Sequence, residues 1–175
     1  MKRTWRAVII VAGVLAIVYG YTWASAYSRS QAFMRAALSD LARGDISLAI
    51  KGGKVLDPRR NVYVTHGGLQ AVIETWESPW ALPSPRLYGQ AVAELDAVID
   101  GKLDAPTGLA IIQQYARLDR KFLDRIALKT ASLYADQGRA EEARELYQES
   151  RELFPQDKAF QARVDAGLKA LDAVK

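Results

Sequence analysis

Cysteine is absent from the 175 residues. That absence excludes disulfides, thiolate zinc sites, cysteine nucleophiles and acylation at a lipoprotein cysteine. Histidine occurs once, at His66. A single imidazole offers no metal set and no triad, and beside Gly67-Gly68 its expected role is a surface or hydrogen-bonding one. No glycine-rich phosphate loop, GxSxG elbow or HExxH is present. Glu94, Asp96 and Asp100 do not make a carboxylate pair, since Glu94 and Asp96 are two apart on a helix and do not face one another. The expectation is a non-enzymatic chain with no catalytic residues, no metal, no cofactor and no small-molecule substrate. Concentrated positive charge is lacking too. The formal net charge is +4, and Lys2, Arg3 and Arg6 supply most of the excess ahead of an apolar run. The remaining charges are interspersed, without the basic stripe and interleaved aromatics that nucleic-acid binding needs.

What the chain does have begins with that run. From Ala7 to Ala26 no charge appears: AVIIVAGVLAIVYGYTWASA. About 20 apolar residues suffice to cross a hydrocarbon core of roughly 30 Å as a helix. Val8, Ile9, Ile10, Val11, Val14, Leu15, Ile17 and Val18 form its body. Tyr19, Tyr21, Trp23 and Tyr27 gather at its far end, where amphipathic rings favour the water interface. Residues 1–27 therefore read as a single-pass anchor, with the basic end in the cytoplasm and the remainder in the periplasm of a bacterial inner membrane. The alternative is a secretory signal peptide cleaved near Ala26, with Ala24-Ser25-Ala26 as its small-x-small site.

Residues 28–175 read as an all-helical domain. No proline or glycine separates the apolar run from Ser28–Arg43, so one helix can pass from the membrane into the domain, with Phe33, Ala36, Ala37 and Leu41 on one face. Gly44 ends it, and Asp45 caps a short helix ISLAIKGGKVL that closes at Leu56-Asp57-Pro58. This segment looks like a degenerate repeat hairpin. A further helix is expected over Asn61–Trp76, its apolar positions Leu69, Val72, Ile73 and Trp76, although Val62-Tyr63-Val64-Thr65 has strand-like residue types. Residues 77–85, ESPWALPSP, form a linker with three prolines. Trp80 in its middle either packs over neighbouring helices, the favoured reading, or stays exposed for a partner. Ser84 and Pro85 start a helix with Leu87, Ala91, Leu95, Val98 and Ile99 inward, which Gly101 stops. Asp104 and Pro106 introduce the next, with Leu109, Ile112, Tyr115 and Leu118. A final helix over 157–173, carrying Phe160, Val164, Leu168 and Leu171, has the half-polar pattern of a cap.

Between these lies LYADQGRAEEARELYQESRELFP, within residues 124–157. Ala131, Tyr134, Gly138, Ala143, Tyr147, Ser150 and Pro155 follow a small, aromatic, turn, small, aromatic, small, proline order over roughly 34 residues. The stretch resembles a tetratricopeptide repeat (TPR). It departs from that family's pattern at Ala127, where a tryptophan or other large residue is preferred, and at Thr130, where leucine is. The resemblance implies an N-terminal transmembrane helix followed by an irregular TPR-like stack of antiparallel helices. It also implies a concave face that binds partner proteins, and hence a scaffold or adaptor for assembly of an envelope complex. Tyr134, Arg144, Tyr147 and Arg151 are the expected groove residues, with Trp76 and Trp80 as further partner-binding candidates. The alternative function is an integral accessory subunit of a larger inner-membrane complex, for example in polysaccharide synthesis, secretion or cofactor maturation, whose transmembrane helix makes specific contacts.

Overall fold

The computed structural model describes residues 2–57 and 60–173. Among them are eight α-helices, one π-helical turn and one two-stranded sheet, so the chain is predominantly helical. Two compact units divide at Ala93 and Glu94.

The first unit is built on α1, Lys2–Ala42. It is one unbroken helix, as the lack of proline and glycine across Tyr27 predicts. Its apolar run is exposed from Val8 through Tyr19. Beyond it, Ser30, Met34, Ala37 and Asp40 turn inward at helical spacing, a face set beside the expected Phe33, Ala36, Ala37 and Leu41. Gly44 ends the helix at φ +81°, a backbone angle that suits glycine. Asp45 caps α2, Ile46–Lys51, by accepting the Leu48 N–H at 3.1 Å.

Here the structure departs from the helical expectation. After α2 come β1, Gly53–Asp57, and β2, Val62–His66, paired antiparallel with Val55 opposite Val64 and Leu56 opposite Tyr63. The helix expected to run to Leu56 ends at Lys51, and the helix expected from Asn61 begins only at Leu69. The glycines explain the break. Gly52 sits at φ +70°, and a Cβ there would collide with the His66 carbonyl and the Gly68 N–H. Asn61, at φ 51°, supplies the left-handed residue that returns the chain. His66 at the end of β2 places Nδ1 3.2 Å from Oδ2 of the buried Asp40, whose other oxygen accepts from Arg43. That fully enclosed carboxyl group is tolerable because both oxygens are partnered. α3, Leu69–Glu77, then buries Leu69, Gln70, Val72, Ile73 and Trp76, and both α2 and α3 pack on α1.

The second unit begins within α4, Arg86–Ala97, which passes into the π-helical turn Val98–Lys102. Gly101 lies inside that turn, and the Leu103 N–H closes it on the Val98 carbonyl at 2.9 Å. α5, Ala105–Tyr115, is capped by Asp104, which accepts the Thr107 N–H at 2.8 Å. Its buried face is Ala105, Gly108, Ile111 and Ile112, and Leu118 lies exposed beyond its end. α6, Leu123–Asp136, and α7, Ala140–Leu153, form a hairpin about Gly138, which is at φ +75°. α8, Lys158–Ala173, packs on α7 and α6. Its first turn is held by Asp157, which accepts the Phe160 N–H at 3.0 Å.

Hydrogen bonding to Thr107 holds the Asp104 carboxyl below its ordinary range. A group lowered on folding stabilises the native state above its unfolded value, near 3.9 for aspartate, and loses that effect as pH falls through the lowered native value. Asp104→Ala should therefore cost about 1 kcal/mol at neutral pH. In denaturant titrations the gap between variant and wild type should close below about pH 3.9. A gap that persists into acid would show that the cap acts without its charge.

Candidate partner-binding surfaces

The α6–α7 hairpin meets where its residues are smallest. Ala127, Thr130 and Ala131 on α6 and Ala143 on α7 are buried. The two positions that depart from the repeat pattern have a local cause in the case of Thr130. Gly108 of α5 lies directly against it, so a Cβ on Gly108 would overlap the Thr130 hydroxyl and stand 3.1 Å from its Cβ. A larger residue at 130 would force α5 and α6 apart. Thr130 settles its own hydroxyl on the Ile126 carbonyl at 2.7 Å.

The four candidate residues of the second unit, Tyr134, Arg144, Tyr147 and Arg151, do not line one hollow. Tyr147 is buried and lines a cavity of about 380 Å³ with Ser132, Ala135, Gly138 and, from α8, Gly167 and Leu171. Gly167 makes room for the phenol, since a Cβ there would fall 2.7 Å from its oxygen. Burial, with the Asp136 charge adding to it, pushes the Tyr147 hydroxyl above its ordinary range, so it stays a neutral donor. Tyr134, also buried, faces a different hollow of about 220 Å³ with Leu109, Gln113 and Glu149. Arg139 stacks over its ring, 4.4 Å from the centroid. Arg144 and Arg151 join α7 to α8. Arg144 donates to Asp172 at 2.6 Å, an interaction that raises its already high pKa. Arg151 donates to Gln161 at 2.8 Å and pairs with Asp165 at 3.3 Å. As placed, both arginines fasten the last helix.

In the first unit, Trp76 is 3% exposed and donates its Nε1 hydrogen to Ser30 Oγ at 3.0 Å. Trp23 stacks on Tyr27 at 5.4 Å, and Trp76 meets both rings edge-on at 5.4 and 6.5 Å. Trp80 was expected to cover a core edge. Instead its side chain is 83% exposed. The chain around it is nevertheless fixed, because Tyr19 Oη donates to the Trp80 or the Leu82 carbonyl (2.9 Å to the former) and accepts the Leu82 N–H at 3.2 Å. Trp23 Nε1 donates to the Pro83 carbonyl at 3.1 Å. A hollow of about 190 Å³ is left between Tyr19, Thr22, Trp23, Trp76 and Trp80. Sequence spacing could not find this linkage, since it joins residues some sixty positions apart. The available signal was composition: an uncharged, proline-broken segment holding a tryptophan, in a chain whose apolar helix ends in aromatic residues.

Of the anchor residues, Val8, Ile9, Ile10, Val11, Val14, Leu15, Ile17, Val18, Tyr19 and Tyr21 are exposed, and Trp23 is half-buried against α3. α1 is the one described helix long and apolar enough to cross a membrane. The chain matches no family model, no curated protein and no solved structure.

Proposed function

We propose that this protein is a non-enzymatic, single-pass scaffold, held in the inner membrane by α1 with its N-terminus cytoplasmic, and that its periplasmic helical domain assists assembly of an envelope protein complex. The observation that carries the reading is the exposure of an apolar helix running without a break into a packed domain. Roughly 20 apolar residues left bare to water are unfavourable at about 25 cal/mol per Å², and a bilayer removes that cost. Tyr19 and Trp23 support an uncleaved anchor, since cleavage near Ala26 would remove the groups that hold the linker. The resemblance to tetratricopeptide repeats is supported by the small residues where α6 meets α7 and by the Gly138 turn. On that reading the cavity beside Tyr147 is the partner site, its mixed lining suited to an extended peptide or a helix edge.

The test fills that cavity without touching the core. Ala135→Trp and Ala170→Trp, on two sides of the opening, are introduced into the full chain, and the proteins co-purifying from native membranes in mild detergent are compared with wild type. Partners recovered with wild type should be lost while both variants remain membrane-bound. An unchanged partner set, or wild type recovered alone, would overturn the scaffold reading. Exchanging residues 7–26 for an unrelated anchor separates the alternative: a scaffold keeps its partners, whereas an accessory subunit recognised through its membrane helix loses them.

A further inference from the structure

We infer that the loop from Ser78 to Pro83 is a second membrane contact, inserting Trp80 and Leu82 into the interface of the leaflet that receives the far end of the α1 apolar run. The inference rests on the reading of α1 as a membrane-spanning helix.

At 1.5 Å per residue, Tyr19 lies about 10 Å and Trp23 about 5 Å short of Ala26, the last residue of the apolar run, with Tyr27 and Ser28 leading to the first charge at Arg29. Interfacial elements sit roughly 5–10 Å into the boundary between headgroups and acyl chains. The hydrogen bonds from Tyr19 and Trp23 to the carbonyls of Trp80, Leu82 and Pro83 therefore hold the loop at that depth, alongside the helix. At this level α1 itself exposes Val18 and Tyr21. Trp80 and Leu82, 83% and 63% exposed, extend the same apolar surface sideways.

Irregular backbone enters a low-dielectric region only if its N–H and C=O groups find partners within the protein. Between Glu77 and Arg86 the sequence has no charge, and Pro79, Pro83 and Pro85 have no N–H to satisfy. At the tip of the loop three consecutive donors are met within the protein: the Trp80 N–H reaches Ser78 Oγ at 3.4 Å, the Ala81 N–H reaches the Ser78 carbonyl at 2.9 Å, and the Leu82 N–H reaches Tyr19 Oη. Thr22, nearby on α1, directs its hydroxyl back to the Val18 and Tyr19 carbonyls. A loop meant for water has no need of such arrangements. A tryptophan beside a leucine at a bilayer interface is also where an indole gains most, its ring among acyl chains and its N–H among headgroups.

The chain has no cysteine, so single substitutions carry a single label. Trp80→Cys, Leu82→Cys and Val14→Cys, each bearing bimane, are reconstituted as full-length protein in phosphatidylcholine–phosphatidylglycerol vesicles. Emission is then quenched in turn by lipids spin-labelled near the headgroup, by lipids spin-labelled deep in the chain, and by aqueous iodide. The expected result is loss of emission at 80 and 82 to the shallow lipid quencher with shielding from iodide, and loss at 14 to the deep one. Iodide quenching at 80 and 82 with lipid quenching retained at 14 would overturn the inference while leaving the anchor intact. Iodide quenching at 14 would remove the anchor reading, and the inference with it.

Discussion

Trp76→Ala should destabilise the full chain by about 3–5 kcal/mol in denaturant unfolding followed in detergent, the usual range for removing a fully buried aromatic ring. Trp76 is the point at which α3 meets α1. Its ring edge touches Trp23 and Tyr27, and its N–H settles Ser30, which is itself buried. Deleting the ring leaves a cavity that Trp23 and Tyr27 cannot fill, because stacking at 11° already fixes them against each other. The hydrogen bond can be isolated from the packing. Trp76→Phe keeps most of the ring but strands the Ser30 hydroxyl, at a cost of about 1–3 kcal/mol. Adding Ser30→Ala should recover part of that loss. If Trp76→Ala costs less than about 1 kcal/mol, the aromatic cluster is peripheral to stability and α3 is held on α1 by other contacts.

Gly108→Ala is the second large effect, and its sign is the reverse of what helix propensity alone gives. Alanine is better than glycine in a helix interior by about 1 kcal/mol, so an exposed site would be stabilised. Here the new methyl would strike the Thr130 hydroxyl and approach its Cγ2 to 3.2 Å, with both residues buried. Overpacking of this kind costs about 1–3 kcal/mol, and the expected net result is a lower unfolding midpoint for the second unit. Thr130→Ala removes the obstructing atoms. The pair should couple strongly, with the double variant more stable than the sum of the two single losses allows. Additive losses would mean that α5 and α6 do not approach through Gly108.

Much of the helical layout was legible because its signals are local. Asp45 and Asp104 at helix starts, Gly44 and Gly138 at positive φ, and the apolar stripes of α3, α4, α7 and α8 each act within a few residues. The hairpin at residues 53–66 departs from the helical expectation although its cues lie in the sequence. Val62-Tyr63-Val64-Thr65 has strand residue types, but the Asp45 cap and the Leu56-Asp57-Pro58 close bracket a segment that reads locally as one helix. What decides the matter is the close approach of Gly52 to Gly68 and His66, a contact between segments that no local window contains. The candidate site shows the same division. Tyr147 and Tyr134 were located by spacing, but the engagement of Arg144 and Arg151 with α8 depends on where a later helix lands. Trp80 was placed on a core edge because an apolar ring in a loop usually belongs there. The ring is exposed because the loop's backbone, rather than its side chain, is what the protein holds.

The unbroken course of α1 gives it a mechanical role. From Ala26 to Ala42 it extends about 24 Å beyond the apolar run. Along that length Ser30, Met34, Ala37 and Asp40 form the floor on which the first unit is laid. With no proline or glycine between Tyr21 and Ala42 to act as a joint, a tilt or axial rotation imposed on the apolar end would arrive at Asp40 as the same tilt and rotation. If α1 spans a bilayer as proposed, a neighbouring helix that turned it there would steer the first unit like a hand on a tiller.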